Sequence, residues 1–444
     1  MSTVRRQTRH LPPVVGTVDA AVPLCVDLGA LIRTDLLPES LMVLIKRNPL
    51  YLLRLPLWLV RGRSALKTEV AGRVELDPAA LAYDRDLLRW LADQRHTGRA
   101  LWLCTAANGP LAERVAAFLG VFDGVLAGND DARLVERFGE GGFDYCGNER
   151  SPAGTLRALF QALRPHQWAK NLLLLAPLLA AHRLNVPGSL LDGLLGVAAF
   201  CLGASSVYIV NDLLDLKADR AHPRKFMRPF ASGRLSILTG WWLAPALLAG
   251  ALAIGAVLPA RFELVFMTYY VATLAYSFFL KGRVIVDAMT LAGLYTLRVI
   301  AGAAAVTVAL SFWMLLFSVF LFLSLALVKR FAELDAMRRQ QQLRATGRGY
   351  RVEDLPVLQS LGTASAYMSV LVLALYINSP DIQSLYHRPK VIWMLCILQL
   401  YWVTRVWLLT QRGAMHDDPV VFALKDPVSL GVGLAAALTV LLAV

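Results

Sequence analysis

The sequence predicts two unlike parts: an all-α polytopic membrane domain of nine transmembrane helices, preceded by a soluble α/β domain. Three observations carry this. The 444 residues are 57% hydrophobic and only 17% charged, against about 45–50% and about 25% in ordinary globular domains. The excess is uneven: residues 170–444 hold repeated apolar runs, each roughly 18–24 residues and so long enough to cross a bilayer. Residues 1–155, by contrast, carry charge throughout. The expected domains are therefore 1–155 and 156–444.

Residues 1–16 are polar and basic with no apolar stretch. No cleavable signal peptide is expected, and the soluble domain should stay in the cytoplasm. Residues 21–35, AVPLCVDLGALIRTD, read as an apolar strand ending in an acid, Asp27. Residues 41–61 hold two apolar runs with Lys46, Arg47 and Arg54 interspersed. They suit either a helical cap or a helix lying on the membrane surface. Residues 101–106, LWLCTA, fit a strand ending at Thr105, and residues 143–148, FDYCGN, fit a last strand.

These strings resemble the haloacid-dehalogenase-like phosphatases, whose first motif is usually D-x-D-G-T-L. The resemblance aligns Asp27 with the nucleophile and Thr105 with the second motif. The chain departs from the family where it runs Asp27-Leu28-Gly29: the second acid, the general acid/base, is missing. No acid pair follows the last strand either. Losing the acid/base costs orders of magnitude in rate, so a degenerate, structural or regulatory domain is expected. Residues 151–163 read as linker and amphipathic entry helix.

The expected spans are 171–186, 189–212, 237–258, 262–280, 284–307, 309–329, 360–378, 390–410 and 427–444, the first short and interrupted by Pro177. Net charge is +13. The bases gather in alternate connectors, as in Lys217 to Arg234 and Lys329 to Arg351. That is the positive-inside bias of a membrane protein, with the basic side cytoplasmic. It places the protein in the inner membrane, with the N-terminal domain cytoplasmic and the C-terminus on the opposite side. The bases flank spans and form no aromatic-basic platform, so nucleic acid is not an expected partner. The five cysteines are scattered with no CxxC pair, which argues against a disulfide framework or a thiolate metal site.

At the end of the second span the chain reads NDLLDLKAD, residues 211–219. Asp212, Asp215 and Asp219 stand at i, i+3 and i+7, which puts three carboxylates on one helix face. Clustered acids need a counterion, and hard oxygen ligands with room for water and phosphate suit magnesium. Arg220, His222, Arg224, Lys225, Arg228 and Arg234 follow. Acids that hold a metal beside bases that hold phosphate oxygens make a diphosphate site at a membrane edge.

The string NDLLDLKADRAHPRKFMRPFASGRLS resembles the first aspartate-rich motif of the UbiA superfamily of intramembrane prenyltransferases. The resemblance covers about 160–444 and implies nine helices with a site open to the cytoplasm. Within the superfamily, the chain is most similar to the branch of decaprenyl-phosphate phosphoribosyltransferase. Supporting strings are RPHQWAKN at 164–171, YSFFLK at 276–281 with Asp287, Leu297-Arg298, and KRFAEL at 329–334. Prenyl transfer in this superfamily uses a second DxxxD-type motif between spans 6 and 7. Here that connector offers only Glu333 and Asp335, which do not share a helix face. This departure favours a donor other than a prenyl diphosphate.

The resemblance implies a magnesium-dependent transfer of phosphoribose from phosphoribosyl pyrophosphate to a polyprenyl phosphate. Asp212, Asp215 and Asp219 would hold the metal. Lys281, Asp287 and Arg298 would complete the catalytic set. Lys170, Asn171, Asn211, Arg224, Lys225, Arg228, Lys329 and Glu333 would contact the substrates. Several have plainer readings. Lys281 can snorkel, Arg298 can pair with Asp287, and Glu333 can pair with Lys329 at i, i+4. The string 415–419, MHDDP, reads as a polar connector. Two other functions stay open: prenyl transfer from a prenyl diphosphate to an aromatic or other acceptor, and lipid transport.

Overall fold

The computed structural model describes residues 22–443, apart from 63–64, 67–68, 71, 106–108, 128–130, 140–141, 148–154, 223–224, 340–348, 380–385 and 416–417. The chain forms two compact units. One holds residues 1–163 and 208–244, the other 164–207 and 245–444. The expected boundary at 155 adjoins residues outside the described set. The acid-rich segment, expected to group with the membrane domain, instead belongs with the N-terminal part.

In the first unit a four-stranded parallel sheet has the order β3-β2-β1-β4, where β1 is Leu24–Asp27, β2 Leu101–Thr105, β3 Gly124–Ala127 and β4 Asp144–Cys146. Parallel sheets are covered on both faces, so their strands are apolar throughout. Leu24, Cys25, Val26, Leu101 and Leu103 are accordingly buried. The register sets Asp27 opposite Cys104, at the carboxyl end of β1, beside the point where the strand order switches to β4. Open parallel sheets bind ligands at such switch points.

Residues 41–61 divide. The helix Leu36–Arg47 buries Leu41, Met42, Leu44 and Ile45. The stretch after it leaves Leu50, Leu53, Leu57 and Val60 exposed.

The membrane part differs from the expected nine spans. Among the described residues seven helical stretches are long and apolar enough to cross a bilayer: Ser189–Leu214, Ile237–Gly255, Ala260–Leu280, Val286–Ala305, Phe312–Arg339, Val352–Ile377 and Pro389–Gln411. The last apolar helix, Pro427–Ala443, is shorter. The expected first span is broken into the 3-10 turn Pro165–Leu175, the short helix Ala176–Ala180 and the turn Arg183–Asn185. Pro177 removes a backbone donor, and Arg164 and His182 adopt left-handed φ values of 53° and 51°. Those values are costly in a right-handed helix.

Among the described residues, two large apolar clusters and a smaller one around Ile377, Ile392 and Cys396 hold the second unit. Phe200, Phe262, Phe266 and Tyr269 stack with Leu174, Leu294 and Ala301. Tyr295, Phe322, Val328, Leu358 and Trp407 form the other large one. Leu264, Leu434 and Leu441 point outward and are about 70% exposed, an arrangement that suits lipid rather than water.

Candidate active site

The helix Ser189–Leu214 delivers Asn211 and Asp212 to its own end. It stops there: Asp215 adopts φ −99° and ψ 14°, and a new helix, Leu216–Ala221, begins after it. The expected single face of three carboxylates is therefore not formed, because i, i+3, i+7 alignment requires an unbroken helix. Instead Asp212 and Asp219, both almost fully buried, converge on one nitrogen. Arg228 Nη1 donates to Asp212 Oδ1 at 3.2 Å and to Asp219 Oδ2 at 2.6 Å. Asp215 stands 3.5 Å from Lys46 Nζ. Among the described residues no group of three His, Cys, Asp or Glu side chains is placed to hold a metal.

Two buried carboxylates focused on one positive charge still fit magnesium. That ion is typically held by one or two carboxylates, with water and substrate phosphates completing its shell. Asp212 and Asp219 would be the protein ligands, and Arg228 is the charge an incoming cation would displace. Lys225 is exposed beside this loop. Arg224 lies outside the described residues.

In the second unit, a connector that looked chemically silent supplies the central acid. Asp418 Oδ2 accepts from Lys170 Nζ at 2.8 Å and from Lys329 Nζ at 3.0 Å. Its Oδ1 accepts from the Tyr295 hydroxyl at 3.2 Å. Arg298 stacks over the Tyr269 and Tyr295 rings, 4.7 and 5.3 Å from their centres. Two ammonium groups thus meet on one carboxylate, leaving local positive charge for an anion. Burial pushes the Lys170 ammonium down to about 8, against the opposing pull of Asp418. Burial alone would raise Asp418, but Lys329 and Lys170 hold it well below the usual carboxylate range. The only sequence signal for this acid was a charge in a connector followed by proline.

Arg298 does not pair with Asp287. Its Nε donates to Asn171 Oδ1 at 3.0 Å, and its other nitrogens to Leu294 O and to the Tyr269 hydroxyl, both at 2.8 Å. Asn171, expected as a substrate contact, is fully buried and also donates to Cys201 Sγ at 3.3 Å. Asp287 is taken by Arg330 at 2.6 Å and by the Tyr350 hydroxyl at 2.6 Å. Glu333 pairs with Arg330 at 2.7 Å, and Asp418 engages Lys329. Asp335 is held by Arg338 and Arg339 at 2.5 and 2.9 Å. Lys281 follows the π-helical turn Tyr276–Leu280 and is half-buried.

Seven helical stretches long and apolar enough to cross a bilayer among the described residues define an integral membrane protein. The chain belongs to the UbiA prenyltransferase family, whose pattern matches residues 172–425, and it is accordingly a membrane transferase. An uncharacterized protein of Sinorhizobium fredii, y4nM, is 34% identical over 94% of this chain and 90% of its own length. That likeness extends well beyond the membrane part. The decaprenyl-phosphate phosphoribosyltransferase of Mycolicibacterium smegmatis is 36% identical over 52% of this chain and 73% of its own. Among solved structures, a UbiA homologue from Archaeoglobus fulgidus bound to GPP and Mg2+ matches with TM-score 0.50 at 18% identity, covering 63% of this chain and 99% of that one. At that identity the likeness speaks for the fold.

Proposed function

We propose that the protein transfers phosphoribose from phosphoribosyl pyrophosphate to a polyprenyl phosphate in a magnesium-dependent reaction. The observation that carries the choice of donor is the fate of the connector acids. Glu333 and Asp335 are each consumed by arginines and point to different partners. Unlike Asp212 and Asp219, which meet on the single Arg228, these two acids have no common partner among the described residues that would focus them on a second metal. The 36% identity to a decaprenyl-phosphate phosphoribosyltransferase, over 52% of this chain, supports phosphoribosyl as the group transferred.

Magnesium, when bound, would neutralise charge building on the departing pyrophosphate. Asp212 and Asp219 would hold that cation. Lys170 and Lys329 supply ammonium donors for phosphate oxygens. The anomeric C1–O bond to pyrophosphate breaks, and a C1–O bond to the lipid phosphate forms. That phosphate is already an anion at neutral pH, so the step needs no strong general base. The basic connectors support an inner-membrane protein whose acid loop and N-terminal domain face the cytoplasm.

We read the α/β domain as a degenerate haloacid-dehalogenase-like module. Asp27 accepts from the Gly29 backbone N–H at 2.6 Å and from the Tyr145 hydroxyl at 3.0 Å, and the motif's second acid is missing from the sequence after it.

The test is direct. Purified protein with magnesium is offered labelled phosphoribosyl pyrophosphate plus polyprenyl phosphate, or labelled prenyl diphosphate plus an aromatic acceptor. Ribose label in the lipid fraction is the expected result. Transfer of prenyl label alone would replace this reading with prenyl transfer.

A further inference from the structure

The α/β part of the first unit holds the acid loop through charge pairs whose purpose the transfer reaction does not explain. Glu39, on the helix Leu36–Arg47, is 4% exposed. Its two carboxylate oxygens accept from Arg220 Nη2 at 2.5 Å and Nη1 at 3.1 Å. Both side chains are almost fully buried. The Thr34 hydroxyl donates to the same carboxylate at 2.6 Å. A bidentate pair with a third donor fixes direction as well as distance.

Arg220 carries that orientation into the loop. Its Nη1 also donates to Ala80 O at 2.7 Å and its Nε to Ala231 O at 3.1 Å. One guanidinium therefore joins the helix Leu36–Arg47, the turn Pro78–Ala80 and the far side of the acid loop. Arg220 follows Asp219 directly in the short helix Leu216–Ala221. Backbone that places the guanidinium also places the carboxylate before it.

Three further contacts act on the same loop. Lys46, seven residues after Glu39 on the same helix, donates to Leu214 O at 2.7 Å and stands 3.5 Å from Asp215. It caps the carbonyl end of the helix that bears Asp212, where a cation is favoured. Lys217 Nζ donates to Asp77 at 2.7 Å.

We propose that the α/β domain is a positioning clamp for the acid loop, with Glu39 its positioning residue. By fixing Arg220, Glu39 sets where Asp219 stands relative to Asp212, and so sets the affinity of that pair for a divalent cation. This rests on Asp212 and Asp219 being the metal ligands, as argued above.

The experiment uses full-length protein in detergent, with Mn2+ as the probe and its free concentration read by electron paramagnetic resonance. Three forms are compared: unchanged protein, Glu39→Gln, and the double variant Glu39→Met with Arg220→Met. Changes outside the first ligand shell typically cost about 10–100-fold in metal affinity. Glu39→Gln should weaken Mn2+ binding by about tenfold or more on that scale. It should raise the magnesium needed for half-maximal transfer in parallel, with little change in rate at saturating magnesium. An apolar pair can replace a buried ion pair without loss of stability. The double variant should therefore regain the melting temperature but not the Mn2+ affinity. It also keeps the test decisive if Glu39→Gln does not fold. Unchanged affinity in a folded Glu39→Gln protein, or affinity regained together with melting temperature in the double variant, overturns the clamp. If the unchanged protein neither binds Mn2+ nor needs magnesium, the ligand assignment itself falls and the clamp with it.

Discussion

At the scale of single residues, Lys170 and Asp418 show how burial and pairing tune a charge for use. Lys170 has three N–H donors, and Asp418 accepts one of them. Burial pushes its ammonium down to about 8. The charge that would meet a phosphate is present below that pH and lost above it. The pH profile of kcat/KM reports groups of the unliganded enzyme. It should fall as pH rises through about 8, with the loss appearing in KM for the phosphorylated donor. Arginine stays protonated throughout this range, so Lys170→Arg should flatten that alkaline limb. A limb that stays in place in Lys170→Arg would exclude Lys170 as the titrating group. Asp418 was hidden in the sequence for a physical reason. A lone acid in a polar connector has no periodicity, and its partners are 248 and 89 residues away. Arg298 was visible because a charge inside an apolar run costs about 2.5–3.5 kcal/mol or more. Its partners, Asn171 and Tyr269, were not, since nothing local links them to it.

At the scale of elements, apolar length made most helices legible, and their breaks were not. Ser189–Leu214 and Val286–Ala305 start and end within a few residues of the expected spans. The turn at Asp215 was invisible because Leu, Lys and Ala around it are all good helix formers. The broken segment before Ser189 was partly signalled by Pro177. Its consequence was not: the segment comes so close to the helix Val286–Ala305 that only glycine fits. A Cβ on Gly302 would lie 1.9 Å from the Leu174 carbonyl oxygen and 2.7 Å from its carbon. Backbone cannot step aside as a side chain can. Gly302→Ala should therefore destabilise the protein by about 1–3 kcal/mol, the usual scale of overpacking. Gly293, in the same helix, has nothing within 4 Å of its added Cβ. Gly293→Ala should be neutral or stabilising by up to about 1 kcal/mol from helix propensity. Melting curves in detergent separate the two, and equal melting temperatures would remove the close-approach argument.

At the scale of the whole molecule, the division of the chain predicts how it tolerates truncation. A fusion of independent domains would part cleanly near residue 155. The compact unit that contains the sheet also contains residues 208–244, so the N-terminal part is bound up with the acid loop. Glu39 and Arg220 are both buried by their pairing, and Trp241 donates its indole N–H to Met42 Sδ at 3.1 Å. Arg85 lies over the Phe226 ring, 4.0 Å from its centre. Deleting residues 1–163 would leave Arg220 without its carboxylate partner. Breaking one side of a buried ion pair costs about 3–5 kcal/mol, a large share of the roughly 5–15 kcal/mol that holds an ordinary domain folded. The shortened chain should therefore lose transfer activity and melt at a lower temperature. Asp27→Ala removes the carboxylate at the end of β1 and leaves the Glu39–Arg220 pair untouched. It should keep transfer near the unchanged level. The comparison separates two roles for the domain that a deletion alone confuses. Loss of activity in both proteins would mean that chemistry at Asp27 feeds the transfer. Full activity in the shortened chain would mean that the acid loop organises itself. Loss on deletion with retention in Asp27→Ala is the outcome that a structural part of the transferase requires.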